Sequence, residues 1–249
     1  MRNMVTAGEL AHLTPERGWK EMESALCEQH PEIFFETLRN CGALSVTWPE
    51  LDALWGVPNP ALHHPEICSG VHTMMVLQQA CLLSPKLSVR FAALCHDLGK
   101  GISPEATLPS HRGHESYGLP LVEASCARFK TPNKIKELAL KVCQYHLHTH
   151  KAFELKPSTI LKLFNNLDLW RKPDEFEDFL LACEADARGR LGFEQRAYPQ
   201  ASLLREAAVK CAAVSAKTFV ANGMQGKQIK EAMDQERVRV IKQCFRDSP

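Results

Sequence analysis

Ala93-Leu94-Cys95-His96-Asp97-Leu98-Gly99-Lys100-Gly101 closes an apolar run that begins at Leu87, and it sets an imidazole and a carboxylate side by side where the run meets glycine. Imidazole nitrogen and carboxylate oxygen are donors that a divalent cation takes from protein. Neighbouring residues on an α-helix diverge by roughly 100°, because 3.6 residues make a turn. His96 and Asp97 therefore meet one ion most readily at a helix end, and Gly99 and Gly101 are read as the residues that open the backbone there. The stretch predicts a helix over 86–98 that delivers metal-binding groups at its C-terminal end.

Outward from that helix, apolar residues recur at spacings of three and four, and few segments alternate with period two. That is the pattern of an all-α chain. Thr14-Pro15-Glu16 opens a helix to about residue 28, with Thr as N-cap, Pro at the first position and an acid in the first turn. Further helices are expected at 31–41, 49–56, 71–82, 114–129, 132–147, 157–170, 173–188, 199–222 and 226–246. Residues 99–113, rich in Gly, Pro, Ser and Thr, are expected to form a loop long enough to serve as a lid or binding segment. There is no internal repeat and no low-complexity tract.

The chain has 249 residues, 45% hydrophobic and 24% charged, with a formal net charge of +1. This is the composition of a soluble globular protein, and its balance gives no global argument for nucleic acid or membrane. Locally, residues 16–66 carry a net of −6 and residues 205–242 a net of +4. Charged faces of this kind are usually solvated, although a basic tail can also meet phosphate backbone. The ten cysteines are scattered without a Cys-x-x-Cys pair, as expected of reduced thiols in a cytoplasmic protein. No apolar run approaches a membrane span and no signal-peptide core is present, so no membrane partner is expected.

Nine of the eleven histidines fall between His63 and His150. His72 precedes His96 by 24 residues, the length of a helix, a turn and a second helix, so the two can face each other across a helical hairpin. His111 and His114 are three apart, and His146 and His150 four apart, spacings that share a helix face. A histidine, a His-Asp pair, two further histidine positions and a late aspartate together favour a metal site. Taken singly, each histidine is an ordinary core or surface residue.

His72…His96-Asp97…Asp resembles the signature of the HD-domain metal-dependent phosphohydrolase superfamily. Five stretches resemble, within it, the C-terminal part of the bacterial multifunctional CCA-adding enzymes: Leu13-Thr14-Pro15-Glu16-Arg17, His64-Pro65-Glu66, Cys95 to Gly101, His111-Arg112-Gly113-His114-Glu115, and Glu184-Ala185-Asp186-Ala187-Arg188-Gly189-Arg190. The nucleotidyltransferase head of those enzymes carries a Gly-Ser turn and an Asp-x-Asp, and this chain has neither. The resemblance therefore implies the C-terminal portion without the polymerising head. It divides the chain into a neck and body remnant (1–60), an HD phosphohydrolase domain (61–198) and a helical tail (199–249).

What the resemblance implies is an all-α helical bundle with 2′,3′-cyclic phosphodiesterase, 2′-nucleotidase and phosphatase activity on nucleotides, served by nickel, manganese, cobalt or magnesium. Such chemistry needs a divalent ion to lower the pKa of water and to offset charge on phosphoryl oxygens. His72, His96 and Asp97 are the expected ligands, with either Asp186 or Asp168 closing the site. For Asp97, His114 and His146 a catalytic role is expected, the two imidazoles as second-metal ligands, phosphate holders or general acid. Lys100 and Arg112 can hold a substrate phosphate, Arg being suited to bidentate contact. Arg188 and Arg190 can do the same, although helix-end charge alone also explains them. His111, His148 and His150 are expected to be solvent-exposed. The implied partners are nucleotide 2′-phosphates and 2′,3′-cyclic phosphates, the tRNA 3′ end, and a second copy of the chain in a homodimer. A nucleotide triphosphohydrolase and a non-catalytic tRNA-binding or dimerisation module braced by a metal remain as alternatives.

Overall fold

The computed structural model describes residues 1–246, the side chain of Ala11 excepted, so the last three residues of the expected tail lie outside the described residues. Among the described residues there are fourteen α-helices and no strand, in agreement with the all-α expectation. The first nine are α1 (Arg2–Thr6), α2 (Pro15–Cys27), α3 (Glu32–Asn40), α4 (Leu44–Thr47), α5 (Pro49–Asp52), α6 (Ser69–Leu83), α7 (Leu87–Cys95), α8 (His114–Phe129) and α9 (Asn133–His150). The rest are α10 (Pro157–Asn166), α11 (Pro173–Arg188), α12 (Pro199–Ala212), α13 (Ala216–Ala221) and α14 (Lys227–Arg246). The chain gathers into two compact units, residues 1–146 with 181–196, and residues 147–180 with 197 onward. This differs from the expected division at 60 and 198: in space the first sixty residues belong to the unit that holds His72, His96, His114 and His146, and residues 147–180 to the other.

In the first unit, α6 and α7 form the hairpin that the spacing of His72 and His96 predicts. Both are apolar on nearly every side and are buried accordingly. Val89 through Cys95 on α7 are all buried. The one charge among them, Arg90, donates to the carbonyl oxygens of Leu26 (2.6 Å), Glu28 (2.9 Å) and Ser84 (3.1 Å). Trp48 anchors the packing below this hairpin, with ring centroids 5.8 Å from Phe91 and 5.4 Å from Phe129. Its Nε1–H donates to Ser125 Oγ at 2.9 Å, so the buried ring leaves no polar atom unpaired. Each such ring contributes ~1.5–3 kcal/mol of burial free energy.

α7 stops at Cys95, short of the expected residue 98, and Leu98–Ile102 forms a separate 3₁₀ turn. Gly99 does not take the left-handed conformation expected of a helix-ending glycine. It is required by contact: a Cβ there would stand 1.9 Å from His114 O and 2.6 Å from Gly118 N. The turn after Asp97 thus lies directly on the start of α8. The 99–113 segment is anchored at both ends, since Lys100 and His111 are buried.

The second unit packs Ile160, Phe164, Phe176, Leu204, Cys211 and Ile241 into its core. Two expected helices are shorter than their sequence pattern. α10 ends at Asn166 and not at 170, because Asp168 turns left-handed (φ +60) and Leu169 N–H closes back on Phe164 O at 3.0 Å. The expected 199–222 helix breaks in two, α13 starting anew at Ser215, whose Oγ accepts from Lys217 N–H.

Candidate metal centre

His72, His96, Asp97, His114, His146 and Asp186 converge within the first unit, and none is more than 4% exposed. Gly189, just past α11, lies so close to α6 that a Cβ would meet Val76 Cγ2 at 2.5 Å and its Cα at 2.6 Å. That approach lets His72 Nδ1–H donate to Gly189 O at 2.9 Å and sets Asp186 Oδ1 3.2 Å from His72 Nε2. Asp97, in the bend after α7, points one carboxylate oxygen each way. Oδ2 is 3.0 Å from His96 Nε2 and 3.9 Å from His72 Nε2; Oδ1 is 3.1 Å from His114 Nε2 and 3.7 Å from His146 Nε2. Asp186 Oδ1 lies 3.8 Å from His96 Nε2. Two ligand groups result, His72–His96–Asp186 and Asp97–His114–His146, the ligand atoms of each lying within 4.8 Å of one another.

The outer nitrogens fix the tautomers. Nδ1–H donates to a backbone carbonyl in all four rings: His72 to Gly189, His96 to Ala93 (2.7 Å), His114 to His111 (2.9 Å), and His146 to Val142 (3.0 Å) and Cys143 (3.2 Å). Each Nε2 therefore turns a lone pair inward, the arrangement by which outer partners prepare imidazole for a metal. His114 and His146 face each other Nε2 to Nε2 at 3.3 Å, with carboxylate oxygen beside them. Acceptors crowd acceptors there, and His96 Nε2 and Asp97 Oδ1 are buried without a hydrogen-bond partner. Buried polar atoms are rarely left so. A divalent cation fits this donor set, since it supplies the positive charge that every inward atom lacks.

The field of the cluster agrees. Burial works against the Asp97 charge, yet His96, Lys100 and His114 hold its carboxyl well below the usual range. Burial alone would lower His96, but the Asp97 and Asp186 carboxylates outweigh it and raise its pKa. His146 is pushed down to about 3, chiefly by burial, and stays neutral.

A second ring supports the first. Glu66 Oε1 lies 3.0 Å from His72 Nδ1 and 2.9 Å from His64 Nδ1. Burial opposes the Glu66 charge, and the two imidazoles nonetheless hold its carboxyl far below the ordinary value. Lys100 Nζ sits 2.6 Å from Asp97 Oδ2 and donates to Asn59 Oδ1 at 2.9 Å. Arg190 Nη2 is 3.7 Å from Asp186 Oδ1, whereas Arg188 is taken up by Glu184 at 2.7 Å.

Of the residues expected from sequence, the structure brings His72, His96, Asp97, Lys100, His114, His146 and Asp186 together. Asp168 is not among them: it belongs to the second unit, where Arg171 grips both its oxygens at 2.8 and 2.7 Å. Arg112 is exposed beside the buried His111. The expectation that His111 is solvent-exposed is corrected, because its Nε2–H donates to Pro58 O at 2.8 Å and it is 1% exposed. His148 and His150 are half-buried and not exposed, His150 Nδ1 meeting Tyr198 Oη at 2.7 Å. Sequence reasoning missed Asn59 altogether, and it quoted His64-Pro65-Glu66 without giving the motif a task. The only signal for Asn59 was its place between two prolines.

The sequence model of the "HD domain" family matches residues 70–186, and that of the "Probable RNA and SrmB- binding site of polymerase A" matches residues 1–54. The chain is 55% identical over 243 residues to the multifunctional CCA protein of Thioalkalivibrio sulfidiphilus, covering 98% of this chain and 59% of that protein. It is 53% identical to the multifunctional CCA proteins of Teredinibacter turnerae and Pseudomonas fluorescens, each over 97% of this chain and 59% of the relative. It thus spans about three-fifths of the curated relatives it matches. His72, His96-Asp97 and Asp186 gather inside the region that the HD-domain model matches, and over nearly its whole length the chain is similar to the multifunctional CCA proteins.

Proposed function

We propose that this chain is the metal-dependent phosphohydrolase part of a CCA-adding tRNA maturation and repair enzyme. Its substrates are nucleotide 2′,3′-cyclic phosphates and 2′-phosphates at a tRNA 3′ end. The single observation that carries the reading is the inward convergence of four imidazole lone pairs on two buried carboxylates.

Asp97 stands between the two groups, one oxygen toward each, and would help to hold a divalent cation in either. His72, His96 and Asp186 complete one set, and His114 and His146 the other. Divalent cations held there lower the pKa of water and offset the charge that builds on phosphoryl oxygens. Nitrogen-rich sets favour nickel, cobalt or manganese over magnesium. The protein's own contribution is placement: backbone carbonyls fix all four rings, and the apolar hairpin of α6 and α7 keeps water from competing. Engaged in this way, His114 and His146 act as ligands and not as proton donors. Lys100 puts a fixed positive charge beside Asp97 for an incoming phosphate.

The match of residues 1–54 to an RNA-binding region supports contact with RNA by the first unit. Ten free cysteines suit the reducing cytoplasm, and no described helix is long and apolar enough to cross a membrane. The test is hydrolysis of 2′,3′-cyclic AMP and 2′-AMP with nickel, cobalt, manganese or magnesium, against nucleoside triphosphates as competing substrates. Turnover of the first two is expected. Turnover of triphosphates alone would reassign the substrate, and none with any ion would leave an RNA-binding module.

A further inference from the structure

The 57–69 loop lays another polar side chain against the metal-binding cluster. Asn59 is 3% exposed, and its Oδ1 accepts from Lys100 Nζ. That bond fixes the orientation of the amide, because exchanging oxygen and nitrogen would set two donors against each other. The remaining amide nitrogen, Nδ2, is a buried donor with no partner. Arg190 Nε is another buried donor without a partner, and Arg190 and Lys100 both lie near enough to His64 to act on its charge. An amide N–H, an ammonium and a guanidinium at the edge of one buried cluster share a complement, an anion with several oxygens.

The loop is built to hold Asn59 in place. Its backbone N–H donates to Ile67 O at 2.7 Å, and Pro58 O accepts from His111. Ile67 is held left-handed (φ +60), a conformation that β-branched residues avoid. Backbone strain of this kind persists where the surroundings over-determine it.

We propose that Asn59 completes, beside the Lys100 already assigned to the incoming phosphate, the subsite for the non-bridging oxygens of the substrate's phosphoryl group. Lys100 supplies the charge; Asn59 aims the ammonium and donates a hydrogen bond of its own from Nδ2. The subsite rests on the phosphohydrolase reading and adds to it a residue that the sequence motifs do not mark.

Asn59→Asp separates the two jobs of this side chain. It keeps an oxygen for Lys100 and replaces the donor with a negatively charged acceptor. The experiment titrates inorganic phosphate into the manganese-loaded full chain by calorimetry, and measures KM and kcat for 2′-AMP, manganese affinity and Tm in parallel. In Asn59→Asp the phosphate Kd and the KM are expected to rise about tenfold or more, the scale of one lost charge-assisted hydrogen bond, with Tm and manganese affinity little changed. Wild-type phosphate affinity in Asn59→Asp overturns the proposal, for then Asn59 only steadies Lys100. If that variant does not fold, Asn59→Ala carries the test, and unchanged phosphate affinity overturns the subsite equally. A wild type that hydrolyses 2′-AMP but binds no phosphate removes the subsite and leaves the function standing. A wild type that does neither with any ion removes both.

Discussion

α7 and α10 each end with an aspartate two residues beyond the last helical position, Asp97 after Cys95 and Asp168 after Asn166. From sequence both were candidates for a metal site. The structure separates them by what surrounds them. Asp97 is 2% exposed, and one of its oxygens has no hydrogen-bond partner among four inward imidazoles. Asp168 keeps a quarter of its side chain in solvent and is closed on both oxygens by Arg171, itself 80% exposed. A carboxylate that its own helix end already satisfies in solvent adds little to stability and has nothing left to offer. A buried one left under-paired costs stability unless a cation or substrate completes it. The difference lies in tertiary neighbours, not in local sequence.

The largest effect should come from Asp97→Asn, which keeps the side-chain volume and removes the charge. Hydrolysis is expected to fall by about 10³-fold or more, since the several kcal/mol that bound cations contribute go with their shared ligand. Manganese titrated into the variant should show no tight binding. Near-wild-type turnover with intact metal binding would place the site elsewhere.

Asp186→Asn and Asp168→Asn set the two helix ends against each other. The first should weaken metal affinity by at least about 10–100-fold, the scale already reached when only an outer partner of a ligand is lost. The second should leave turnover within about twofold and urea unfolding little changed, because the pair with Arg171 is solvent-exposed. Equal losses from both would mean that Asp168 serves the chemistry after all.

The hairpin of α6 and α7 was legible because its periodicity and its all-round apolarity leave no other way to bury it. His72, His96, Asp97, His114 and His146 were legible as candidate residue types in order, since metal chemistry admits few, although the task of the last two stayed open. What could not be read were contacts fixed by the meeting of distant segments. Gly99 announced a helix end and instead marks where the chain touches α8; Gly189 gave no hint of its contact with Val76. His111 has the composition of a surface residue and is buried because Pro58, fifty-three positions away, needs a donor. The choice between Asp168 and Asp186 needed the path of α11, which no periodicity supplies.

Glu66→Gln refines the comparison one layer further out. Glu66 never faces the centre, yet it lies against the outer nitrogen of His72, which donates to Gly189 O. The amide keeps an oxygen for that ring and loses the charge, so the basicity of His72 should fall while its tautomer stays fixed. Metal affinity is expected to drop about tenfold, at the low end for outer-ligand changes. An unchanged manganese Kd would show that Gly189 alone holds the ring.

The smallest effect belongs to Glu50, a carboxylate in the same unit as Asp97 whose needs are met. Arg128 reaches both its oxygens, at 2.7 and 2.6 Å. Burial works against the Glu50 charge, but the hydrogen bonds from Arg128 bring its pKa below the ordinary 4.5. A carboxyl lowered on folding contributes stability above its unfolded pKa and loses it as pH falls through the folded value. Because Arg128 is 37% exposed, the pair is worth only about 1 kcal/mol. Urea unfolding of the wild type and of Glu50→Gln should therefore differ by that amount at pH 7 and converge as pH falls through the lowered folded-state pKa of Glu50. The metal affinity of the variant should match the wild type, since Glu50 satisfies its own partner and Asp97 does not. A variant whose deficit persists undiminished at low pH would show that Glu50 acts through packing and not through its charge.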